Sequence, residues 1–433
     1  RFHPSDFRVK TLDGVADDWP LTYEDLAGYY DRNDEVMGCS GINGDPANPP
    51  RKPRQMPPLP IGSDGMRLIN AFEELDWHWW PSDNYINSEP YGEGRDACNF
   101  CGHVHMGCFK RAKASTDLTY WPLALKNGAV IETGARVRRI TTDSSGIATG
   151  ADYVDSKGVE RHQPARSVVM AANGIGTARL LLLSKSDSHP DGLANSTGLV
   201  GKNLMFHPFA MITGVFPENM KTWQGPLSNF AMSQEFYETD ESRGFVRGYT
   251  YQFQRSLGPG WVANGGFTNA IPWGDSHHEE LEKRLGSMMA IAVIGDDLPE
   301  PHNSVDLDPD LTDSDGVPAP RINYTLSQNS RDLLDHGIKN ATKVFETAGA
   351  TDIYVDPLMR QSGWHLMGTA RMGEDSSNSV VDKWGQAHDV DNLFIIDGSV
   401  FVTGAAVNPT PTIQALALRT ADYIIANRND LKG

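Results

Sequence analysis

The sequence predicts a mixed α/β fold, α+β overall, that is divided into at least two domains. Its 433 residues exceed the length at which single hydrophobic cores stop growing. Two short apolar runs, at 167–172 and 392–398, are each followed by a turn and then by a helical pattern, as buried parallel strands that lead into helices are. Residues 206–325 carry short alternating patterns broken by glycine and proline, which is typical of antiparallel sheet. We therefore expect a parallel α/β domain beside a sheet-rich domain.

The first half of the chain predicts one clear helix, a loop and a strand. TYEDLAGYYDRNDEVMG (22–38) predicts a helix, because Thr22 can cap it and Asp25 stands at the capping-box position. Residues 45–60 hold a run of prolines, which fix the backbone and remove hydrogen-bond donors, and therefore predict loop or extended chain. GAVIETGARVRRI (128–140) alternates as a strand or a short hairpin does.

The second half predicts two buried strands and three helices. SVVMAA (167–172) is typical of a buried parallel strand, and the ARLLLLS that follows its glycine turn predicts a helix. SRDLLDHGIKNATKVFETAGA (330–350) predicts an amphipathic helix that Gly349 can end. NLFIIDG (392–398) predicts the second buried strand, and PTIQALALRTADYIIAN (411–427) predicts a helix with proline in its first turn.

Composition excludes several classes of partner. The formal net charge of −18 disfavours nucleic acid and anionic membrane surfaces. No apolar run approaches the roughly 20 residues that span a bilayer. A cytoplasmic location is favoured. A periplasmic location is the alternative, because the sequence starts without methionine and its true N-terminus is not visible.

The segment GWHLMGTARMG (363–373) is the first candidate for chemistry. It places one histidine among glycines, which let a flat molecule approach the backbone closely. The two strand–turn–helix transitions are the second candidate, because backbone N–H groups at a helix N-terminus can meet a phosphate or an electron-rich ring edge.

These segments resemble the glucose–methanol–choline (GMC) family of flavin-dependent oxidoreductases. WHLMGTARMG and the later NLFIIDGSVFVTGAAVNPTPTIQALALRTADYI are similar to the family's C-terminal signature, and AANGIGTARLLLLS and VGKNLMFHP to its middle segment. The resemblance runs from about residue 115 to the C-terminus. It is closest to the branch of pyranose oxidase and gluconate or glucoside dehydrogenases, since Asn408 stands where other branches carry a second histidine.

The resemblance implies FAD as cofactor, a Rossmann-like FAD-binding domain and a sheet-rich substrate-binding domain. The family's N-terminal GxGxxG turn is not found in these 433 residues, so we expect a member without roughly its first βαβ unit, on the order of 100 residues. The predicted division is a cap or linker at 1–110, a middle FAD-binding segment at 111–205, the substrate-binding domain at 206–372 and a C-terminal FAD-binding segment at 373–433.

The resemblance also assigns candidate site residues. His365 would take the hydroxyl proton, which a neutral imidazole suits near neutral pH, and Asn408 would hydrogen-bond the substrate oxygen. The alternatives are a hydrogen-bonded core histidine and a turn-forming asparagine at a helix entry. The residues implied to contact the cofactor are Val137, Ala172, Asn173, Gly174, Asp397, Gly398, Asn408, Pro409 and Thr410. Trp364 is expected either to wall the substrate pocket or to serve packing.

The expected function is FAD-dependent oxidation of a CH–OH group of a sugar, glycoside or related alcohol. Oxygen or a quinone-like molecule would reoxidise the flavin, and a homo-oligomer is compatible with the sequence. One alternative function is that of an FAD-containing lyase of the same fold, and another is that of a metal-binding electron-transfer subunit built on CNFCGHVHMGC (98–108). The ligand set of that segment is incomplete, because Val104 stands where relatives with an iron–sulfur cluster carry a cysteine. Free thiols and no metal are therefore expected.

The remaining loop histidines are interpreted as exposed or hydrogen-bonded: His3, His207, His277, His278 and His302.

Overall fold

The computed structural model describes residues 1–102, 104, 107–225, 229–255, 258–263, 271–360, 362–429 and 431. The helices are α1 (Val9–Asp13), α2 (Tyr23–Met37), α3 (Gly62–Glu74), α4 (Tyr120–Lys126), α5 (Asn173–Leu183), α6 (Pro259–Ala263), α7 (His277–Arg284), α8 (Gln328–Thr347) and α9 (Thr410–Asn427). The strands are β1 (Trp80–Pro81), β2 (Arg136–Thr142), β3 (Ala148–Val154), β4 (Glu160–Pro164), β5 (Val168–Met170), β6 (Phe209–Val215), β7 (Asn229–Ser233), β8 (Tyr249–Arg255), β9 (Met288–Gly295), β10 (Ser304–Thr312), β11 (Pro318–Asn323), β12 (Asp352–Asp356), β13 (Gln386–Ala387) and β14 (Val390–Ile395). The predicted mixed α/β fold is confirmed.

The elements with strong local signals form as predicted. The Thr22 side chain caps α2 and Asp25 completes the capping box. Helix α8 ends just before Gly349, whose φ of 79° is a left-handed conformation that glycine adopts freely. The prediction for 128–140 is partly wrong, because the strand begins only at Arg136 and the preceding residues are exposed turn and irregular chain. Gly128 and Gly134 take positive φ there, which interrupts the extended backbone that a strand requires.

A six-stranded antiparallel sheet, in the order β1-β7-β8-β9-β6-β12, forms most of the predicted sheet-rich region. It also takes in β1 and β12, which lie outside the predicted range, whereas β10 and β11 form a separate hairpin. Helices α3 and α8 cover one face, on which Tyr251, Phe253 and Phe345 are buried together. Because side chains alternate along a strand, Gln252 and Gln254 of β8 face the other way. The sheet therefore has one packed face and one face that is free to bind a molecule.

The two predicted parallel strands pair with each other. Strands β5 and β14 lie side by side, with Met170 opposite Ile395, although more than 200 residues separate them in sequence. Both strands end at the same edge of the sheet, so the turns that follow them, into α5 and towards α9, also meet. A second hydrophobic core forms around these turns, and it contains residues from the N-terminal segment such as Phe2 and Trp19. Among the described residues, none of the helices combines the length and apolarity that crossing a membrane requires.

Candidate functional site

The histidine loop is held between two other segments by backbone hydrogen bonds. Met205 and Met367 exchange N–H to C=O bonds of 3.0 and 3.1 Å, as a pair of antiparallel strand residues does. On the other side, the N–H groups of Gly368 and Ala370 donate to the carbonyls of Gly398 and Ser399. The loop therefore has a defined backbone and a fixed position for its histidine.

Two predicted cofactor glycines allow this loop to come close. A Cβ atom on Gly174 would lie 2.8 Å from the carbonyl carbon and oxygen of Leu366, and one on Gly398 would lie 2.6 Å from that oxygen. Real Cβ atoms almost never approach backbone this closely, so each glycine is required where it stands. Both strand–turn–helix transitions thus support the residue next to His365.

The first helix N-terminus is already satisfied by the protein's own groups. The Asp397 carboxylate accepts hydrogen bonds from the N–H of Asn173 at 3.1 Å and from the hydroxyl of Thr177 at 2.5 Å. The Asn173 side chain in turn accepts from the N–H groups of Ile175 and Gly176. Asp397 therefore joins the two turns, and the free donors expected at the start of α5 are occupied.

The second helix N-terminus is open. Pro409 stands at the N-cap of α9 and gives no side-chain cap, and Pro411 follows in the first turn. Asn408, Thr410 and Pro411 line a cavity of about 2120 Å³. Pro411 has no N–H and the next two N–H groups donate to the Pro409 carbonyl, so Thr410 supplies the backbone donor that this helix start can offer. The positive end of the helix dipole favours an electron-rich group in the cavity.

The same cavity is bounded by the free face of the large sheet. That wall is largely apolar and includes Phe209, Met211 and Met359, with Trp364 packed edge-to-face against Phe209 at a centroid distance of 5.5 Å. Trp364 is about half exposed, so it both walls the cavity and packs against the sheet. The cavity lies between the helix start that favours negative charge and an apolar wall.

His365 lies next to Trp364 and is largely buried. Its Nδ1 atom is buried without a hydrogen-bond partner in the described residues. Burial, together with the neighbouring His207, lowers its pKa to about 2, so the ring is neutral at any physiological pH. Its role as base stays a prediction, with a core histidine as the alternative.

His207, which the sequence predicts to be exposed or hydrogen-bonded, is buried and makes one hydrogen bond through its ring. Its ring packs edge-to-face against the His365 ring with centroids 4.8 Å apart. Its Nδ1 atom lies 3.0 Å from the carbonyl oxygen of Gly295, while its Nε2 is buried without a partner. Burial lowers its pKa to about 4. The antiparallel pairing of Met205 with Met367 places residues 207 and 365 opposite each other, and no local sequence pattern indicates that pairing.

Asn408 has a partner that sequence reasoning also missed. The buried Gln252 of β8 donates a side-chain hydrogen bond to Asn408 Oδ1. Gln252 and Gln254 are both cavity residues, and they supply amide groups to a wall that is otherwise mainly apolar. The only signal in the sequence was the alternation in RGYTYQF, which indicates a strand but not what its polar face meets.

The other predicted cofactor residues lie away from this cavity lining. Asn408 and Thr410 are part of it, whereas these are not: Val137, Ala172, Asn173, Gly174, Asp397, Gly398 and Pro409. Val137 is 42% exposed on β2. Direct contact between this second group and a cofactor stays a prediction.

The cysteine segment borders the large cavity, because Gly102 and Val104 are among the cavity's lining residues. Cys98, Cys101 and Cys108 are free thiols, and burial is the main reason that the pKa of Cys98 is raised. No group of three or more histidine, cysteine or acidic side chains suited to a metal ion occurs in the described parts of the chain. His103 and His105, which were considered as further ligands, lie outside the described residues.

Comparisons with known proteins agree with this geometry. Two family models described as GMC oxidoreductase match residues 86–209 and 299–417. A 2-methyl-1,2-propanediol dehydrogenase of Mycolicibacterium austroafricanum is 43% identical over 438 residues, which cover 100% of this chain and 79% of the relative. The fructose dehydrogenase large subunit of Gluconobacter japonicus is 30% identical over 448 residues, which cover 100% of this chain and 78% of the relative. Among solved structures, a pyridoxine 4-oxidase from Mesorbium loti shares the fold with a TM-score of 0.65 at 15% identity, over 98% of this chain and 81% of that one.

The matched regions contain the two turns, the histidine loop and the start of α9. The relatives that match the full chain are dehydrogenases of hydroxyl compounds by name. The chain therefore belongs to the GMC family and is an FAD-dependent oxidoreductase that acts on CH–OH groups of alcohols or sugars.

Proposed function

We propose that the open cavity holds the flavin ring of FAD. Its volume of about 2120 Å³ has room for a three-ring system and a small substrate together. The uncapped start of α9, with Asn408 and Thr410, would face the electron-rich edge of the ring, and the wall formed by Trp364 and Met359 would lie beside the substrate. When bound there, FAD supplies an acceptor for the hydride that leaves the substrate carbon.

We propose that His365 is the base that removes the hydroxyl proton of the substrate. The observation that carries this is an unprotonated imidazole in a fixed loop position beside the cavity residue Trp364. Burial keeps the ring unprotonated, as a base must be, although the lowered pKa makes it a weaker base than an exposed imidazole. Asn408, oriented by Gln252, would hydrogen-bond the substrate oxygen as negative charge develops on it.

Replacing each residue with alanine tests these roles. His365→Ala should slow anaerobic flavin reduction by about 10²–10⁴-fold, the usual effect of losing a general base. Asn408→Ala should slow it by about 10–10²-fold, because one hydrogen bond to developing charge is lost. The matched control is His302→Ala, a histidine 61% exposed on a loop. Stopped-flow absorbance gives the rates, and thermal melts of the same samples report folding. Flavin reduction at the wild-type rate in His365→Ala would exclude it as the base.

We further infer that the substrate carries a second hydroxyl group. Gln252 and Gln254 place two amides on the same face of β8, and an amide both donates to and accepts from a hydroxyl. The apolar side chains around them, such as Met211 and Met359, would contact the carbon skeleton. The two relatives named for a diol and for fructose act on polyhydroxy compounds, which favours the same class here.

Comparing a diol with its mono-alcohol tests this inference. The wild type should have a higher kcat/KM for 1,2-propanediol than for 1-propanol. Gln254→Leu should lower that ratio by about 3- to 10-fold, the effect of one lost hydrogen bond of about 0.5–1.5 kcal/mol. Met211→Leu, which changes the shape of the same wall without removing a polar group, is the control and should affect both substrates alike. If the wild type does not discriminate between the two alcohols, the inference is wrong.

The electron acceptor and the assembly are proposed on the resemblance alone. We expect reoxidation by oxygen or by a quinone-like molecule, and stopped-flow reoxidation with each separates them. A homo-oligomer is expected, and sedimentation of the purified protein measures it.

A further inference from the structure

The two buried imidazoles of the site each have one nitrogen without a partner. The unpartnered atoms are Nδ1 of His365 and Nε2 of His207. A buried polar atom without a partner is destabilising, so two such atoms on rings in contact require an explanation.

The hydrogen bond of His207 determines where its own proton lies. Its Nδ1 is 3.0 Å from the carbonyl oxygen of Gly295, and a carbonyl only accepts hydrogen bonds. His207 is neutral, because burial lowers its pKa. Its single ring proton is therefore on Nδ1, and its Nε2 presents a lone pair that accepts hydrogen bonds.

His365 presents the complementary group. If its Nε2 is to take a proton from the substrate, that atom must carry a lone pair, and the proton of the neutral ring must be on Nδ1. This Nδ1–H needs an acceptor inside the protein, and it has no hydrogen-bond partner among the described residues. The neighbouring ring is that of His207, whose centroid lies 4.8 Å from the centroid of His365. A hydrogen bond between the two nitrogens, made directly or through one bridging water, would satisfy both atoms.

We propose that His207 is a positioning residue that holds His365 in the Nδ1–H tautomer, with the lone pair of Nε2 directed at the substrate. The chain of donors and acceptors runs from His365 Nδ1–H to His207 Nε2, and from His207 Nδ1–H to the Gly295 carbonyl. This inference rests on the proposed role of His365 as base. When His365 takes up the substrate proton at Nε2, the neutral His207 still accepts from Nδ1–H and stabilises the imidazolium.

The surrounding charged groups leave this arrangement intact. Asp296 and Asp297 follow Gly295 directly. Asp296 pairs with Arg247 through Oδ2 at 2.9 Å, while its Oδ1 is buried without a partner in the described residues, and Asp297 accepts from the backbone N–H of Phe206 and the Tyr324 hydroxyl. Neither carboxylate is recorded in a hydrogen bond or ion pair with either imidazole. The two histidines therefore form a neutral pair.

Nuclear magnetic resonance of the flavin-loaded protein labelled with ¹⁵N-histidine tests the tautomer directly. The signals of His365 are those missing from the His365→Ala spectrum. We expect Nδ1 of His365 to be protonated and Nε2 unprotonated. Replacing His207 with phenylalanine should move the population of His365 towards the Nε2–H form. A wild-type His365 that is already protonated at Nε2 would overturn the proposal.

Kinetics of two His207 variants give the second test. His207→Phe keeps a ring but no acceptor, and should slow flavin reduction by about 10–10²-fold with little change in KM. His207→Gln keeps an acceptor oxygen and should recover most of that loss, and it also serves if the phenylalanine variant folds poorly. Equal losses in both variants, or none in His207→Phe, would overturn the positioning role. Failure of His365→Ala to slow reduction would instead refute the proposed base, whatever tautomer is observed.

Discussion

His365 and His207 show how burial decides the chemistry of an imidazole. Both rings have an ordinary pKa near 6.5, and removal from water lowers it to about 2 and about 4. A charged form would have to be stabilised by a carboxylate, but His207 contacts the Gly295 carbonyl and the His365 ring, which are both uncharged. Both rings are therefore unprotonated at neutral pH.

The same shifts predict that acid destabilises the fold through these histidines. Below pH 6.5 the unfolded chain binds a proton on each ring that the folded chain does not, so the free energy of unfolding rises with pH up to about 6.5 and then levels. Each histidine contributes a slope of about 1.4 kcal/mol per pH unit. Asp296 and Asp297 act in the opposite direction, because burial raises their pKa values to about 6 and about 7.

Comparison with a variant separates these effects. Between pH 6.5 and 5.0 the wild type should lose about 2 kcal/mol more than His207→Gln, since the variant lacks one of the two protonation sites. Urea denaturation at a series of pH values measures both proteins. Parallel pH profiles would show that His207 is not buried as a neutral group.

The two strand–turn–helix transitions have different tasks. At α5 the turn is filled by Asp397 and Asn173, so this element supports the histidine loop. At α9 the turn is uncapped and borders the cavity. The two turns look alike in sequence, but the Asp397 carboxylate reaches only the turn at α5. That turn therefore has a structural task, whereas the turn at α9 is available to a ligand.

This difference predicts the effect of adding one methyl group at α5. Gly174→Ala would push a Cβ into the Leu366 backbone at 2.8 Å, and overpacking of this kind costs about 1–3 kcal/mol. It should also slow flavin reduction, because His365 adjoins Leu366. The matched control is Gly28→Ala within α2, where a Cβ meets nothing within 4 Å, and it should stabilise by about 0.5–1 kcal/mol. Thermal melts and stopped-flow rates measure both. A Gly174→Ala protein with wild-type stability and rate would contradict the close approach.

Across the whole molecule, Arg247 ties the N-terminal segment to the large sheet. Its guanidinium is buried and pairs with Asp6 and Asp13 from the N-terminal segment and with Asp296 at the end of β9. Its partners therefore come from parts of the chain more than 200 residues apart. Removing the arginine would leave Asp6 and Asp296 buried without their cation.

We therefore expect Arg247→Leu to lower the free energy of unfolding by about 3–5 kcal/mol. Arg136→Leu is the control, because Arg136 is about 40% exposed and pairs with Asp313 at the surface, where such pairs contribute about 0–1 kcal/mol. Urea denaturation at neutral pH measures both variants. A loss below 1 kcal/mol for Arg247→Leu would show that water reaches the cluster.

Local signals in the sequence predicted much of the fold. Helix α2 carries its cap and capping box within four residues, and α8 carries its apolar face at every third or fourth position, so neighbouring residues suffice to specify each. The histidine loop was also recognisable, because its glycines and the long family signature lie together in the chain. For these features the determining contacts span only a few residues.

The tertiary structure alone decided which groups meet in the site. His207 reaches His365 across 158 positions through a strand pairing, and Gln252 reaches Asn408 across 156 through the face of a sheet. Asp397 closes the start of α5 from a strand more than 200 residues later. Such contacts depend on the strand register and on the side of the strand that a residue faces. Until that register is known, the polar residues of a short alternating pattern cannot be told apart by sequence. The sequence by itself determined the family and the candidate base, and the packing of distant strands decided which groups surround that candidate.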